Sequence, residues 1–194
     1  MEELDDRQLV LRCRNREEDA FRVLLGRYEA YIYTICSRMA GSRQDALEMV
    51  QEAMIRAVLG LDRYQINRPF KPWLRQVVVN TGINFLRRRE PEALSLDADP
   101  EGEDGLYRVL NDSSPAGDPA VWLERMEQRR TLRAAMAELP ADARLALHLR
   151  HEEGLSYDEI AREMGAPLGT IKALLFRARQ RLRKVLSDQY GWEG

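Results

Sequence analysis

The chain has 194 residues, 44% hydrophobic and 32% charged, an ordinary balance for a soluble globular protein of one domain or two small ones. Its longest apolar runs, such as Val77-Val78-Val79, are far too short to span a bilayer. The acidic start Met1-Glu2-Glu3-Leu4-Asp5-Asp6 leads into no apolar signal segment, so a cytoplasmic protein is expected.

Leu4, Leu9, Val10 and Cys13 predict a short first helix. Phe21, Leu24, Leu25, Tyr28, Tyr31, Ile32 and Ile35 recur at spacings of three and four and predict a long second one. Ser42 with Asp45 reads as a capping box opening a third helix with the stripe Ala46, Met49, Val50, Ala53 and Ala57, and Gly60 stands where it should stop. A short loop, residues 61–69, leads to a fourth helix through Trp73, Leu74, Val77, Val78, Ile83 and Leu86, closed by Pro91. Cys13 and Cys36 lie within helical patterns and read as small buried hydrophobes; two cysteines make no disulfide framework.

The composition then changes. Residues 91–117 carry prolines, glycines and a dense set of acids with no helical or strand period, which is linker composition. The expected organisation is a domain over residues 1–90, an acidic tether over 91–117, and a second domain over 118–194. That domain opens at Asp118-Pro119 with a helix to about Glu138, then a helix from Asp142 to Glu153. Ser156-Tyr157-Asp158-Glu159 is a capping box for a short helix to Met164, Gly165 is its terminator, and Pro167 opens a last helix running past Val185. The fold class is all-α, two small helical domains on a flexible linker.

The net charge of −2 hides a segregation. From Lys172 to Lys184 there are six cations and no acid, and from Arg63 to Arg89 seven cations and no acid. Two basic blocks separated by an acidic tether suit a nucleic-acid binder better than the total charge suggests.

The short helix, Gly165 and the last helix have helix-turn-helix spacing. Leu168, Ile171, Leu175, Ala178 and Leu182 form one stripe expected to face inward, and Lys172, Ala173, Phe176, Arg177 and Arg179 are expected on the remaining surface. An apolar stripe docks such a helix while a basic one meets phosphates and base edges in the major groove.

Glu138-Leu139-Pro140, the run His148 to Ala161, Gly169-Thr170-Ile171-Lys172 and Arg177-Ala178-Arg179 together resemble the C-terminal promoter-binding domain of the extracytoplasmic-function sigma factors. In that family this domain binds the "minus 35" element, which implies DNA contacts from Gly169, Thr170, Lys172, Ala173, Phe176, Arg177 and Arg179. Where the family often has Ser then Arg after the recognition-helix cation, this chain has Ala173 and Leu174, leaving Lys172, Phe176 and Arg177 as the better contacts.

The N-terminal half is similar to the same family. The stretch Asp45 to Ala53 resembles the segment that grips the clamp helices of core RNA polymerase, implying core-binding roles for Asp45, Glu48, Gln51 and Glu52. Phe70-Lys71-Pro72-Trp73-Leu74, Asn80 and Leu86-Arg87 resemble the segment that recognises and opens the "minus 10" element. The minus-10 set is Arg63, Tyr64, Phe70, Lys71, Trp73, Asn80, Arg87 and Arg88. The resemblance further implies an anti-sigma partner and a tether threading toward the polymerase active site, and a monomer is expected when free. The tether's dense acids, Asp97, Asp99, Glu101, Glu103 and Asp104, suit an RNA mimic in that path, the alternative being a solvated spacer that its charges only keep extended.

Elementary energetics agree with a melting role. A base leaving the stack costs a few kcal/mol, and an aromatic side chain returns about 1–3 kcal/mol by stacking. Tyr64 and Phe70 suit stacking and core packing equally, and Trp73 suits the core better. Two other readings stand beside this one: a helix-turn-helix regulator acting without polymerase, and a helical enzyme using His148, His151 and nearby acids. His148 and His151 are three apart, whereas zinc-protease helices space theirs by four. No enzyme active site, metal or cofactor is expected.

Overall fold

The computed structural model describes residues 4–89, 126, 130–132 and 134–190. Two compact units divide the chain, Met1–Ala93 and Leu94–Gly194. The expected tether, with its five acids, lies outside the described residues. Every regular element among the described residues is helical.

In the first unit α1 (Asp6–Arg14) begins at a reciprocal cap. The Gln8 amide donates to Asp5 Oδ1 at 2.7 Å and the Asp5 amide to Gln8 Oε1 at 2.9 Å. It ends on Arg16, a non-glycine residue in left-handed backbone at φ 64°. The Arg16 amide bonds the Cys13 carbonyl at 2.9 Å and that of Glu17 bonds the Arg12 carbonyl at 3.2 Å, a paired closure for which glycine is the usual residue.

Next come α2 (Glu18–Met39) and α3 (Arg43–Gly60), the latter opened by Ser42, whose hydroxyl accepts the Asp45 amide at 3.1 Å. The expected loop at 61–69 opens with a 3-10 turn, Leu61–Arg63, before α4 (Phe70–Arg89). The core joins Leu24, Ile32, Ile35 and Met39 of α2 to Ala46, Met49, Ala53 and Ala57 of α3 and to Leu74, Val78 and Val79 of α4. Each large apolar side chain there contributes about 1.5–3 kcal/mol by leaving water. The alanines of α3 let its neighbours close in. Gly82 of α4 does the same for Met39: a Cβ there would lie 2.1 Å from the Met39 methyl.

In the second unit, residues 130–132 and 134–137 are helical and lead to Pro140. The helix expected over Asp142 to Glu153 is α5 (Ala141–His151). Ser156 then caps α6 (Tyr157–Met164) with both bonds of the capping box present. Gly165 ends it at φ 61°, and Ala166 bonds back to the Ala161 carbonyl at 3.0 Å. Pro167 precedes α7 (Leu168–Tyr190). Leu145, Leu147 and Leu149 of α5, Ile160 of α6, and Ile171, Leu175 and Leu182 of α7 form a core closed to solvent.

Candidate nucleic-acid interface

The inner stripe of α7 is Ile171, Leu175, Ala178 and Leu182, all buried, with Leu168 at its margin. Lys172 is exposed on the other side, as is Gly169, and Thr170, Phe176 and Arg177 are half-exposed. Two residues expected on the outer surface are buried. Arg179 is only 8% exposed: it stands four residues after Leu175 and three before Leu182, so the helical period carries it onto the inner edge. There its guanidinium donates to the Tyr157 hydroxyl at 3.0 Å, tying α7 to the first turn of α6. The Tyr157 ring also carries Arg150 over its face, 5.2 Å from the centroid. Ala173 is 5% exposed; its methyl is shorter than the half-exposed Phe176 and Arg177 that follow it.

Arg177 lies within the electrostatic reach of Asp142 at the start of α5. Burial pushes the Asp142 carboxyl above its ordinary value, against the pull of the Ala143 amide, 2.8 Å from Oδ1, and of Arg177 and Arg144.

In the first unit Tyr28, Tyr64, Phe70 and Trp73 form an aromatic cluster. Phe70 packs on Tyr28, Tyr64 and Trp73 with ring centroids 5.2, 5.5 and 5.3 Å away, and Tyr64 lies 5.1 Å from Trp73. Tyr64 and Phe70 are both 5% exposed, while Trp73 keeps an open edge. A Cβ at Gly60 would come within 3.0 Å of the Trp73 ring, so the last residue of α3 makes room for the indole. The structure thus reverses the expected order: Tyr64 of the loop and Phe70 at the start of α4 are inside, and Trp73 is the partly open one. The reason is α1. Arg14 donates to the Leu61 carbonyl from Nε at 3.0 Å and Nη2 at 2.8 Å, and also to the Tyr64 carbonyl, drawing the loop onto the helices. The Tyr64 hydroxyl donates to the Arg68 carbonyl and that of Tyr28 to Asp6. Neither Arg14 nor Tyr28 carries a local sequence signal for this, since Arg14 acts 47 residues away.

Lys71 places its Nζ 4.5 Å above the Tyr31 ring. Along α4, Gln76, Asn80, Asn84, Arg87 and Arg88 are exposed at spacings of three or four, a polar stripe ending in two cations. Asn80, Arg87 and Arg88 were expected in this set; Gln76 and Asn84 were not. Arg63 is exposed at the loop.

On α3, Glu48 and Gln51 are exposed, and Asp45 and Glu52 half-buried. Leu47, Ile55 and Leu59 stand beside them 45%, 60% and 74% exposed, with Gln51 completing a row at four-residue spacing. Glu52 turns toward α4: Arg88 donates to its Oε2 at 2.6 Å and Arg56 to its Oε1 at 2.7 Å.

His148 is buried in α5, its Nδ1 3.1 Å from Glu152 Oε2. Among the described residues no group of three or more His, Cys, Asp and Glu could hold a metal ion.

Two family models match the chain, Sigma-70 region 2 over residues 24–92 and Sigma-70, region 4 over residues 129–182. The ECF RNA polymerase sigma factor SigW of Bacillus subtilis is 32% identical over 182 residues, covering 92% of this chain and 95% of that protein. The chain belongs to the extracytoplasmic-function sigma factors. Further sigma factors align over nearly the same span: the RNA polymerase sigma-H factor of Pseudomonas aeruginosa is 34% identical over 93% of each chain, and the ECF RNA polymerase sigma-E factor of Escherichia coli 34% identical over 92% of this chain and 93% of that one. The sigma-factor fold is matched by CnrH, solved with the cytosolic domain of CnrY, at TM-score 0.55 and 21% identity over 95% of this chain and 98% of that one. It is matched also by RpoE of Bartonella quintana, solved with the anti-sigma factor NepR, at TM-score 0.56 and 22% identity over 87% and 98%.

As a sigma factor the chain binds core RNA polymerase and directs it to promoters for transcription initiation; it is not an enzyme, and the polymerase supplies the catalysis. Its all-α architecture and helix-turn-helix are those of the family. No helix among the described residues is long and apolar enough to cross a membrane.

Proposed function

We propose a division of labour among three surfaces of this sigma factor. The outer side of α7, with Lys172, Phe176 and Arg177 leading and Gly169 and Thr170 beside them, reads the minus-35 element. The polar stripe of α4 with Arg63, Lys71 and the open edge of Trp73 takes the minus-10 element. The outer row of α3, with Glu48 and Gln51 among Leu47, Ile55 and Leu59, docks on the polymerase clamp helices, its apolar members supplying the area that an unpartnered surface helix has no reason to expose. Ala173, Arg179, Tyr64 and Phe70 act from beneath these surfaces as packing residues.

The chain is accordingly a cytoplasmic protein with domains over residues 1–90 and 118–194. It is monomeric when free and is held by an anti-sigma factor, a reading supported by RpoE of Bartonella quintana, which was solved with the anti-sigma factor NepR.

The observation that carries the minus-35 assignment is the asymmetry of α7, apolar and closed on one side, with Lys172 open on the other. Its test is promoter binding by holoenzyme assembled with Arg177→Ala. A base-edge contact loses about 1–3 kcal/mol on the cognate promoter only. A phosphate contact weakens every sequence and lowers the salt slope by roughly one. No change in either measurement removes Arg177 from the interface. Equal promoter affinity with and without core polymerase would favour a regulator acting alone.

A further inference from the structure

Glu52 stands in the segment whose family resemblance points to polymerase, yet both its oxygens are engaged within the first unit. Oε1 accepts from Arg56 Nη2 at 2.7 Å and Nε at 3.1 Å, and Oε2 accepts from Arg88 Nη2 at 2.6 Å. Its side chain is 26% exposed, while those of Arg56 and Arg88 are 45% and 59% exposed. Arg56 is one turn away on the same helix; Arg88 comes from α4, 36 residues along the chain. Arg88 is also steadied by the Phe85 ring, 5.9 Å from its guanidinium carbon. An arginine offers five N–H donors in a fixed plane. With one of them on Glu52 and a ring beside the plane, the orientation of the remaining donors is set before any ligand arrives.

We infer that Glu52 is a positioning residue for promoter DNA: its carboxylate, between α3 and α4, aims Arg88 at the nucleic acid. The inference rests on the reading of the α4 stripe as the minus-10 surface. It separates Glu52 from Glu48 and Gln51, which are exposed and for which no bond to α4 is seen among the described residues. It also runs against simple electrostatics. An acid beside a DNA-binding cation repels phosphate, so removing it should tighten binding; a positioning acid does the reverse, because a freed long side chain must be ordered again on each binding event.

The experiment uses holoenzyme assembled with Glu52→Gln, Arg88→Gln and the double variant, with affinity for core and affinity for a promoter fragment measured separately. The expected result is that Glu52→Gln weakens promoter binding about two- to fivefold, the scale of a partly exposed ion pair. In the Arg88→Gln background the same substitution should leave promoter binding unchanged or tighten it. Tighter promoter binding by Glu52→Gln alone overturns the inference, as does an equal loss in both backgrounds. A loss confined to core affinity makes Glu52 a polymerase contact and overturns it too. If Arg88→Gln leaves promoter binding intact, the minus-10 reading of Arg88 fails first and the inference falls with it.

Discussion

The guanidinium of Arg179 donates to the phenolic oxygen of Tyr157 at 3.0 Å, across the seam between the two helices of the helix-turn-helix. A cation in a basic run is thus tied to the joint between these helices. Arg179→Ala should destabilise the second unit by about 1–3 kcal/mol, the scale of a hydrogen bond to a charged group, and Tyr157→Phe by roughly 1 kcal/mol. The pair should be non-additive in denaturant unfolding, because each removes the same bond. The salt slope of promoter binding should stay at the parental value with Arg179→Ala; a drop of about one would place Arg179 on a phosphate instead.

Phe70 is the hub of the aromatic cluster in the first unit. Phe70→Ala should destabilise that unit by about 3–5 kcal/mol, the range for truncating a buried aromatic ring. Trp73→Ala should lose less stability, because the indole keeps an open edge. Chemical unfolding of both variants separates this from a stacking role. A Phe70→Ala protein of parental stability that fails to open promoters would make Phe70 a base platform.

Two acids should give stability opposite dependences on pH. Burial works against the ionised form of Glu52, but hydrogen bonds and charge from Arg88 and Arg56 outweigh it and hold the carboxyl below its ordinary value of 4.5. A depressed folded value stabilises the fold above the unfolded value, and that contribution is lost as pH falls through the folded value. Burial places Asp142 above its ordinary 3.8 despite the Ala143 amide and the charges of Arg177 and Arg144. A raised folded value does the reverse: its contribution is complete below 3.8 and is lost as pH rises through the folded value. Urea unfolding from about pH 3 to 7 should show Glu52→Gln flattening the acid limb of the first unit. Asp142→Asn should remove the loss on rising pH in the second, its amide oxygen still accepting from Ala143. Unchanged pH profiles in both variants would contradict the two assignments.

Arg16 holds a backbone conformation that suits glycine. The left-handed region costs a side-chain-bearing residue about 1–2 kcal/mol, whereas glycine pays about 0.5–1 kcal/mol in lost unfolded-state freedom. Its nearest carboxylate partner, Asp62, is 3.9 Å away with both side chains largely exposed, a pair of little value. Arg16→Gly should therefore raise the melting temperature. A lower one would mean that Arg16 contributes more than its backbone strain removes.

The helices were legible because their punctuation is local. Ser156 with Glu159, Gly165 and Pro167 fix three helix ends within a dozen residues, and the alanine stripe of α3 announces its buried face. What the sequence hid is what acts at a distance. Nothing near Arg14 tells that it clamps Leu61, and nothing near Glu52 tells that Arg88 will meet it. A loop has no period, so whether Tyr64 points in or out cannot be read from spacing. At Arg179 two local signals conflict. Its charge suits an outer surface, while its register, four residues after Leu175, sets it on the inner edge.

The two thiols carry a practical consequence. Cys13 and Cys36 are 1% and 0% exposed, and burial pushes the Cys36 thiol up to about 12. The reactive species is the thiolate, so alkylation of either requires the first unit to open. Modification rate becomes a clock for that opening. Cys13 times the departure of α1, which holds the loop through Arg14, and Cys36 times the parting of α2 from its neighbours. Measured in free protein and in holoenzyme, the two rates would tell which helices breathe before polymerase arrives and which it stills.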